Sequence, residues 1–198
     1  MEFSEVVARR RMVRAFHDRP VDPAVVDRLL DLARRAPSAG FTQGTEFLVL
    51  EGPDQTAAYW DTTLPIERRA TFPWPRLLDA PVLILPMSSR DAYLDRYAEP
   101  DKGWTDRDPK RWPVPYWHVD AGFAVQTLLL AAVDAGLGAL FFGIFEGLPA
   151  LREAFGIPEH FTPVGTVALG YAADDDRPSA SLKRGRRAFD EVVHRGRW

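Results

Sequence analysis

Two groups of arginine side chains are the strongest candidates for chemistry in this sequence. One group comprises Arg9, Arg10 and Arg11 together with Arg14, and the other lies in the basic run 183–187. Arg10 and Arg14 are four residues apart, so a helix that continued this far would place them on one face. Arginine binds phosphate through two parallel N–H bonds, so either group could recognise an anion. From residue type alone, two solvated stretches are the commoner interpretation.

The other reactive side chains form no catalytic pattern. The sequence has no cysteine, which excludes a disulfide framework, a cysteine nucleophile and a thiolate metal site. Neither Ser-x-x-Lys nor Gly-x-Ser-x-Gly occurs, so nothing marks Ser38 as a nucleophile, and both the dinucleotide glycine fingerprint and the P-loop are absent. The four histidines lie far apart, without metal-ligand spacing, at His17, His118, His160 and His194. By elimination, a redox cofactor would have to supply the chemistry.

Composition narrows the class of protein further. The formal net charge of −3 gives no general attraction to nucleic acid or to an anionic membrane. The first five residues carry acid where a signal peptide would carry base. The uncharged, mostly apolar run 121–133 in the second half is too short to cross a bilayer, which needs about 20 residues. We therefore expect a cytoplasmic protein with neither a nucleic-acid nor a membrane partner.

The elements that must position these groups alternate between helix and strand. Ser4 is the expected N-cap of the first helix and Asp22, followed by Pro23, that of the second. The apolar helix 119–135 is expected to be buried on all sides. The expected helices are 4–10, one that starts after Asp22, 55–63, 119–135 and 148–155, and the expected strands are 47–50, 82–85, 139–145 and 164–171. Periodicity leaves both α/β and α+β folds open.

Residues 87–117, the aromatic segment, differ from the rest of the chain. Three tryptophans and three tyrosines occur there among many charges and prolines, at Tyr93, Tyr97, Trp104, Trp112, Tyr116 and Trp117. A loop this long in a compact domain is usually functional or disordered, and its aromatic content argues against disorder. Either the segment covers a site as a lid, or its aromatic side chains pack on the core.

Several segments, taken in order along the chain, resemble the motifs of one family. The first is Arg10–Phe16, with the sequence Arg-Arg-Met-Val-Arg-Ala-Phe, and the second is Ala36–Gln43, with Ala-Pro-Ser-Ala-Gly-Phe-Thr-Gln. The later ones are 126–138, 156–158, 169–171 and 186–194. This ordered set, which spans about residues 3 to 198, resembles the nitroreductase family. Only the aromatic segment has no clear counterpart.

The resemblance implies an architecture and an activity. The fold would be α+β, a single nitroreductase-like three-layer domain over 1–198, with a mostly antiparallel central sheet flanked by helices. Two copies would form an intertwined homodimer, and residues 174–198, the tail, would cross to the partner. FMN would bind at the subunit interface, NAD(P)H would donate electrons, and an electron-poor small molecule, such as a nitro compound or a quinone, would accept them in a ping-pong scheme.

The resemblance also implies site residues, motif by motif. Arg10 and Arg14 would contact FMN, Arg184 and Arg186 would close on its phosphate, and the loop 37–43 would reach into the partner's site. Arg14 would also stabilise the flavin edge, and no side chain is expected to act as a catalytic acid or base. The full expected cofactor set is Arg10, Arg11, Met12, Arg14, Pro37, Ser38, Ala39, Phe41, Gln43, Gln126, Phe142, Gly143, Arg184 and Arg186. The expected acceptor contacts are Phe41, Trp104, Trp112 and Tyr116.

The sequence departs from the family motifs at four positions. Met12 replaces a serine, Phe41 an asparagine, Gly44 a proline and Thr127 an asparagine. The change at Phe41 removes a polar contact and inserts a bulky ring beside the expected flavin. The resemblance leaves alternatives to reduction of nitro compounds open: a flavin-dependent dehalogenase or flavin-fragmenting enzyme, for which 87–117 could be the lid, or a non-catalytic carrier of FMN or a deazaflavin. A nucleic-acid binder that uses the basic tail is the remote alternative.

Overall fold

The computed structural model describes all 198 residues, and a five-stranded sheet forms its centre. The strands are β1 (Thr45–Glu51), β2 (Val82–Ser88), β3 (Gly138–Phe142), β4 (Thr162–Pro163) and β5 (Thr166–Gly170). Their order is β1-β2-β5-β3, with β4 paired to the end of β2, and every pairing is antiparallel.

Seven helices flank this sheet. They are α1 (Phe3–Arg9), α2 (Pro23–Ala33), α3 (Gly52–Thr63), α4 (Ile66–Arg69), α5 (Arg90–Ala98), α6 (Tyr116–Asp134) and α7 (Leu148–Phe155). None of them is long and apolar enough to cross a membrane.

Side chains of β2 alternate between two cores, because successive residues of a strand point to opposite faces. Val82 and Ile84 belong to the core in which α2 and α6 cover one face of the sheet. Leu83 and Leu85 belong to the core in which α3 and α7 cover the other face. All seven residues of β2 are buried as a result. This arrangement of helices, sheet and helices confirms the predicted three-layer α+β fold.

The segment after α1 lies along the edge of the sheet. The Val13 N–H donates to the carbonyl of Ala139 at 2.9 Å, and Phe16, fully buried, forms an antiparallel bridge with Ala172. Gly138 permits this approach, since a Cβ there would lie 2.8 Å from a methyl group of Val13. The first arginine group is thereby fixed beside β3.

Several boundaries differ from those expected. The first helix begins at Phe3 with Glu2 as N-cap, so Ser4 lies inside its first turn, whereas the Asp22 cap is confirmed by a 2.9 Å bond from the Ala24 N–H. The expected strand 139–145 ends at Phe142. The aromatic segment is not one irregular loop, because it contains α5 and the first two residues of α6.

The helix expected to be buried on all sides keeps one exposed face. Tyr116, Phe123 and Gln126 of α6 face solvent at helical spacing, while the other side of the helix packs in the core. The expectation was wrong for this stripe, because α2 and the sheet cover only part of the helix.

The tail does not pack against the core of its own chain. Every residue of 180–198 is exposed, and the only regular structure there is two short 3₁₀ turns. Its exposed large apolar side chains are Leu182, Phe189, Val192, Val193 and Trp198.

Candidate functional site

A cavity of about 430 Å³ adjoins the segment that carries the first arginine group. Arg14, Phe142 and Gly143, three residues expected to bind the cofactor, line this cavity together. The Arg14 guanidinium lies 5.2 Å from the centroid of the Trp74 ring and donates to the carbonyl of Met12 at 3.2 Å. The structure thus brings together residues more than 120 positions apart in sequence, in what we call the Arg14 cavity.

The floor of the Arg14 cavity is aromatic. Phe142, at the end of β3, stacks on Trp60 of α3 with ring centroids 5.7 Å apart and planes 6° from parallel. After Phe142 the chain turns back through Gly147, whose φ of 75° is in the left-handed region. A Cβ at Gly147 would lie 1.8 Å from the carbonyl oxygen of Thr62, so only glycine permits this close approach to α3.

An ion pair that sequence reasoning missed joins two walls of the Arg14 cavity. Arg68 of α4 donates to Glu146, which lies in the loop after β3. Both side chains are more than half exposed, and the carboxylate of Glu146 raises the pKa of Arg68. Nothing in the local sequence marks Arg68 apart from Arg69, so no motif could have identified it.

The buried carboxylate of Asp176 fixes the backbone of the first arginine group. It accepts hydrogen bonds from the N–H groups of Arg14 at 2.7 Å and Ala15 at 2.8 Å, and it pairs with the Arg11 guanidinium. Arg11 is therefore neutralised within the chain, whereas Arg10 and Arg14 have no ion-pair partner. Asp176 also ties the start of the tail to this segment, a contact across 162 positions that the sequence did not predict.

The second arginine group lies apart from the first within one chain. Arg184 and Arg186 line an open cavity formed only by residues of 181–191. The tail therefore presents both guanidinium groups to solvent, and only Arg187 forms an ion pair there, with Glu191.

The loop 37–43 has a strained backbone that its hydrogen bonds hold. Gly40, Phe41 and Gln43 have φ values of 63°, 55° and 55°, in the region that side chains other than glycine rarely adopt. The Gln43 N–H donates to Ser38 Oγ at 2.9 Å. Phe41 is 76% exposed, so its ring points outward and does not pack against its own chain.

Side chains of the aromatic segment and of α6 hold the loop 37–43 in place. Asp120 of α6, only 4% exposed, accepts bonds from the Ala39 N–H at 2.8 Å and the Tyr93 hydroxyl at 2.7 Å. Burial, followed by the bond to Asp120, raises the pKa of Tyr93. A Cβ at Gly40 would meet the Tyr97 ring at 2.8 Å, so the ring and the loop are in close contact.

Three of the four expected acceptor residues, Trp104, Trp112 and Tyr116, lie in one cluster of aromatic rings, whereas Phe41 is exposed on the loop 37–43. Trp112 is the centre of this cluster, with ring centroids 4.5 Å from Tyr97, 5.6 Å from Trp104 and 5.8 Å from Tyr116. No residue of the aromatic segment lines the Arg14 cavity of the same chain.

Two remaining candidates lie outside the Arg14 cavity. Met12 pairs with Ala139 at the sheet edge, and its half-buried side chain packs against both cores. Gln126 is on the exposed face of α6.

Comparison with known proteins identifies relatives over most of the chain. A sequence model of the Nitroreductase family matches residues 7–171. A protein of Methanothermobacter thermautotrophicus, provisionally named NADH dehydrogenase/NAD(P)H nitroreductase, is 28% identical over 180 residues, which are 88% of this chain and 80% of that protein. A 4-nitrobenzoate reductase of a Nocardioides species is 29% identical over 223 residues, with 96% of this chain and 88% of the relative covered.

The fold is also that of solved relatives. A structure from Desulfovibrio desulfuricans, provisionally named a nitroreductase and solved in complex with FMN, superposes with a TM-score of 0.70 at 24% identity, over 98% of this chain and 95% of that one. The family match extends from the first arginine group through the last strand of the sheet. It shows that the chain belongs to the nitroreductase family and is an oxidoreductase.

Proposed function

We propose that the protein is an FMN-dependent oxidoreductase that uses NAD(P)H to reduce an electron-poor small molecule. The observation that carries this proposal is the Arg14 cavity, in which Arg14, Phe142 and Gly143 meet. The relatives support both cofactors, since one is named for NAD(P)H and a structural neighbour was solved with FMN.

The residues of the Arg14 cavity fit a flat, partly anionic cofactor. Its volume of about 430 Å³ lies in the range of small-molecule sites, and aromatic side chains form much of its wall. Phe142, stacked in parallel on the buried Trp60, would offer a flat surface. Backbone groups of Phe142 and Gly143 would hold the polar edge of a flavin ring, and the cationic Arg14 would face its negative charge.

The phosphate of FMN would bind arginines from both groups. Arg14 lines the cavity and Arg10 precedes it by four residues, both without an ion-pair partner, and Arg184 and Arg186 are exposed on the tail. Charge-assisted bonds from arginine to phosphate are among the stronger hydrogen bonds in proteins. Since Arg184 and Arg186 lie apart from the first group within one chain, the two groups would meet across a dimer.

A homodimer is the assembly that we propose for this reason. The tail exposes Phe189 and Trp198, and α6 exposes Phe123, so each copy has apolar surface that a second copy could cover. An interface of this type would exceed the standard size of about 1,600 Å² and be rich in apolar contacts.

In the dimer, the loop 37–43 and the aromatic segment would cover the partner subunit's Arg14 cavity. Because Asp120 and Tyr93 hold the segment against the loop, the two would move as one unit. Phe41, Trp104, Trp112 and Tyr116 would then line the acceptor site opposite Phe142, which is the lid alternative of the two raised for the aromatic segment.

Bound FMN would supply hydride and electron transfer, and the protein would supply binding, orientation and electrostatics. Arg14 would stabilise negative charge at the pyrimidine edge of the ring. Aromatic walls would exclude water and orient flat donors and acceptors. One cavity would serve both, so the donor would leave before the acceptor enters, which gives ping-pong kinetics. A nitroaromatic compound or a quinone is the acceptor that we propose, with protons taken from water.

The phosphate assignment is tested by Arg10→Ala and Arg186→Ala. Each removes a bond worth about 1.5–3 kcal/mol, so each should weaken FMN binding by about 10- to 150-fold. Flavin fluorescence titration of the apoprotein measures this, with Arg34→Ala, an exposed arginine paired with Asp31, as the matched control. Unchanged FMN affinity in both Arg10→Ala and Arg186→Ala would contradict the assignment.

The dimer is tested by truncation after Asp176, which keeps the carboxylate that fixes Arg14 but removes the rest of the tail. We expect the truncated protein to lose the dimer and FMN together, by sedimentation and absorbance. A dimeric and fully yellow truncated protein would contradict the crossing of the tail.

A further inference from the structure

We propose that Arg68 recognises an anionic group on the electron acceptor, and that this group replaces Glu146 as the partner of the guanidinium. The inference rests on the proposed function and names its substrate class: flat aromatic molecules that carry a carboxylate. It concerns recognition only and adds no chemical step.

The position of Arg68 carries the first part of the argument. The side chain lines the Arg14 cavity and is 58% exposed, so it stands at the rim between the aromatic interior and solvent. Its only ion-pair partner is Glu146, itself 54% exposed on the opposite wall. Exposed ion pairs contribute little to stability, so exchange of one carboxylate for another at Arg68 has a small cost.

Arg69, the next residue of the same short helix, has a structural role that Arg68 lacks. Arg69 donates to the carbonyl of Leu64 at 3.0 Å and to Asp61 at 2.6 Å, and it lines a different cavity. Arg69 therefore joins α4 to the end of α3. Arg68 makes no bond to the backbone, so its guanidinium is free to change partner.

The other cationic side chain of the Arg14 cavity, Arg14 itself, is not available to bind an anionic acceptor. Arg14 is stacked over Trp74, donates to the carbonyl of Met12, and is assigned to the cofactor. Glu146 is the only acidic side chain on the wall. A negatively charged acceptor therefore finds one exchangeable cation, Arg68, and one competing anion, Glu146.

The remaining walls define the rest of the ligand. Phe72, Phe142 and Phe145 are aromatic, and aromatic rings prefer stacked or edge-on contact with other rings. Arginine binds a carboxylate through two parallel N–H bonds, which fixes the direction of the molecule. A ring held between these side chains with its carboxylate on Arg68 would have its opposite end directed into the cavity.

The test compares two acceptors that share a shape but differ in charge, 4-nitrobenzoate and 4-nitrobenzamide. In the FMN-loaded protein, Arg68→Gln should change the ratio of their KM values by about tenfold against the acid. Arg68→Lys should restore part of this preference, because it keeps the charge but not the two-pronged geometry. Glu146→Gln should shift the ratio in favour of the acid, since it removes the competing anion. Arg34→Gln is the matched control, because Arg34 is an exposed arginine paired with Asp31 outside the proposed site, and it should leave the ratio unchanged.

A binding measurement separates this inference from the proposed function. Benzoate cannot be reduced, and calorimetry should show its affinity to fall about tenfold in Arg68→Gln. If both acceptors are reduced but neither the ratio nor benzoate binding responds to Arg68, the inference is wrong and the proposed function stands. If neither acceptor is reduced, the proposed function fails, and benzoate binding still decides whether Arg68 binds anions.

Discussion

Asp120 offers a perturbation whose size follows from the structure. Its carboxylate oxygen Oδ2 accepts both the Ala39 N–H at 2.8 Å and the Tyr93 hydroxyl at 2.7 Å, in a site where Asp120 is 4% exposed. Replacement with alanine leaves two donors without an acceptor. A buried donor without a partner costs about 1–3 kcal/mol, so Asp120→Ala should lower the free energy of unfolding by about 2–6 kcal/mol. Asp120→Asn keeps an accepting oxygen and should lose only about 1 kcal/mol.

Urea unfolding at fixed protein concentration measures these losses, since dimerisation would make stability depend on concentration. Asp134→Ala is the matched control, because Asp134 is in the same helix but pairs with the amino terminus at an exposed position, where such pairs contribute about 0–1 kcal/mol. If Asp120→Ala costs no more than Asp134→Ala, the carboxylate does not support the loop as described. In the FMN-loaded protein, Asp120→Ala should also change the flavin spectrum, because the loop 37–43 would lose its anchor.

Three further changes test the packing and the titratable groups. Asp176→Ala removes the acceptor of the Arg14 and Ala15 N–H groups. The loss in free energy of FMN binding should be at least as large as the loss in free energy of unfolding. Unchanged FMN affinity in this variant would contradict a link between Asp176 and the cofactor site. Partial burial lowers the pKa of His118 below its ordinary value, but the residue is exposed enough for solvent to weaken the effect, so the protein should lose a small part of its stability as pH falls below about 6.5. His118→Gln should flatten that loss in urea midpoints measured from pH 7.5 to 5. Burial raises the pKa of Tyr59 to about 12, so stability should fall as pH rises from about 10, where an unfolded tyrosine ionises, towards 12. Tyr59→Phe should remove part of that fall. An identical pH dependence of stability in the variant would refute the assignment.

The layered fold was largely predictable because its signals are local. The N-cap Asp22 with Pro23, the glycine after the helix at 148–155 and the short apolar strands are each encoded within a few residues. The family resemblance then supplied the order of layers, and the strands, paired antiparallel, confirmed it.

Helix α5 was missed although two signals for it were present. Ser89 caps it by accepting from the Ala92 N–H at 3.2 Å, and Tyr93 and Tyr97 share one face four residues apart. The charges and prolines around them resembled a loop. The burial of Tyr93 depends on Asp120, a residue 27 positions away, which no local pattern could indicate.

Part of the candidate site was also predictable from local motifs, and part was not. Arg14, Phe142 and Gly143 were expected from motifs, and the structure brings them into one cavity. Arg68 with Glu146 was not expected, because that pair spans 78 positions and belongs to no motif. Motifs identify residues that a family shares, whereas contacts particular to one chain emerge only once the chain is folded.

The central claim is that the Arg14 cavity holds FMN. The most direct measurement is the absorption spectrum of the purified protein, followed by identification of the chromophore released on denaturation. The account predicts a yellow protein that releases one FMN per subunit and becomes bleached on addition of NAD(P)H. A colourless protein that binds no added FMN, or one that releases a deazaflavin instead, would contradict it.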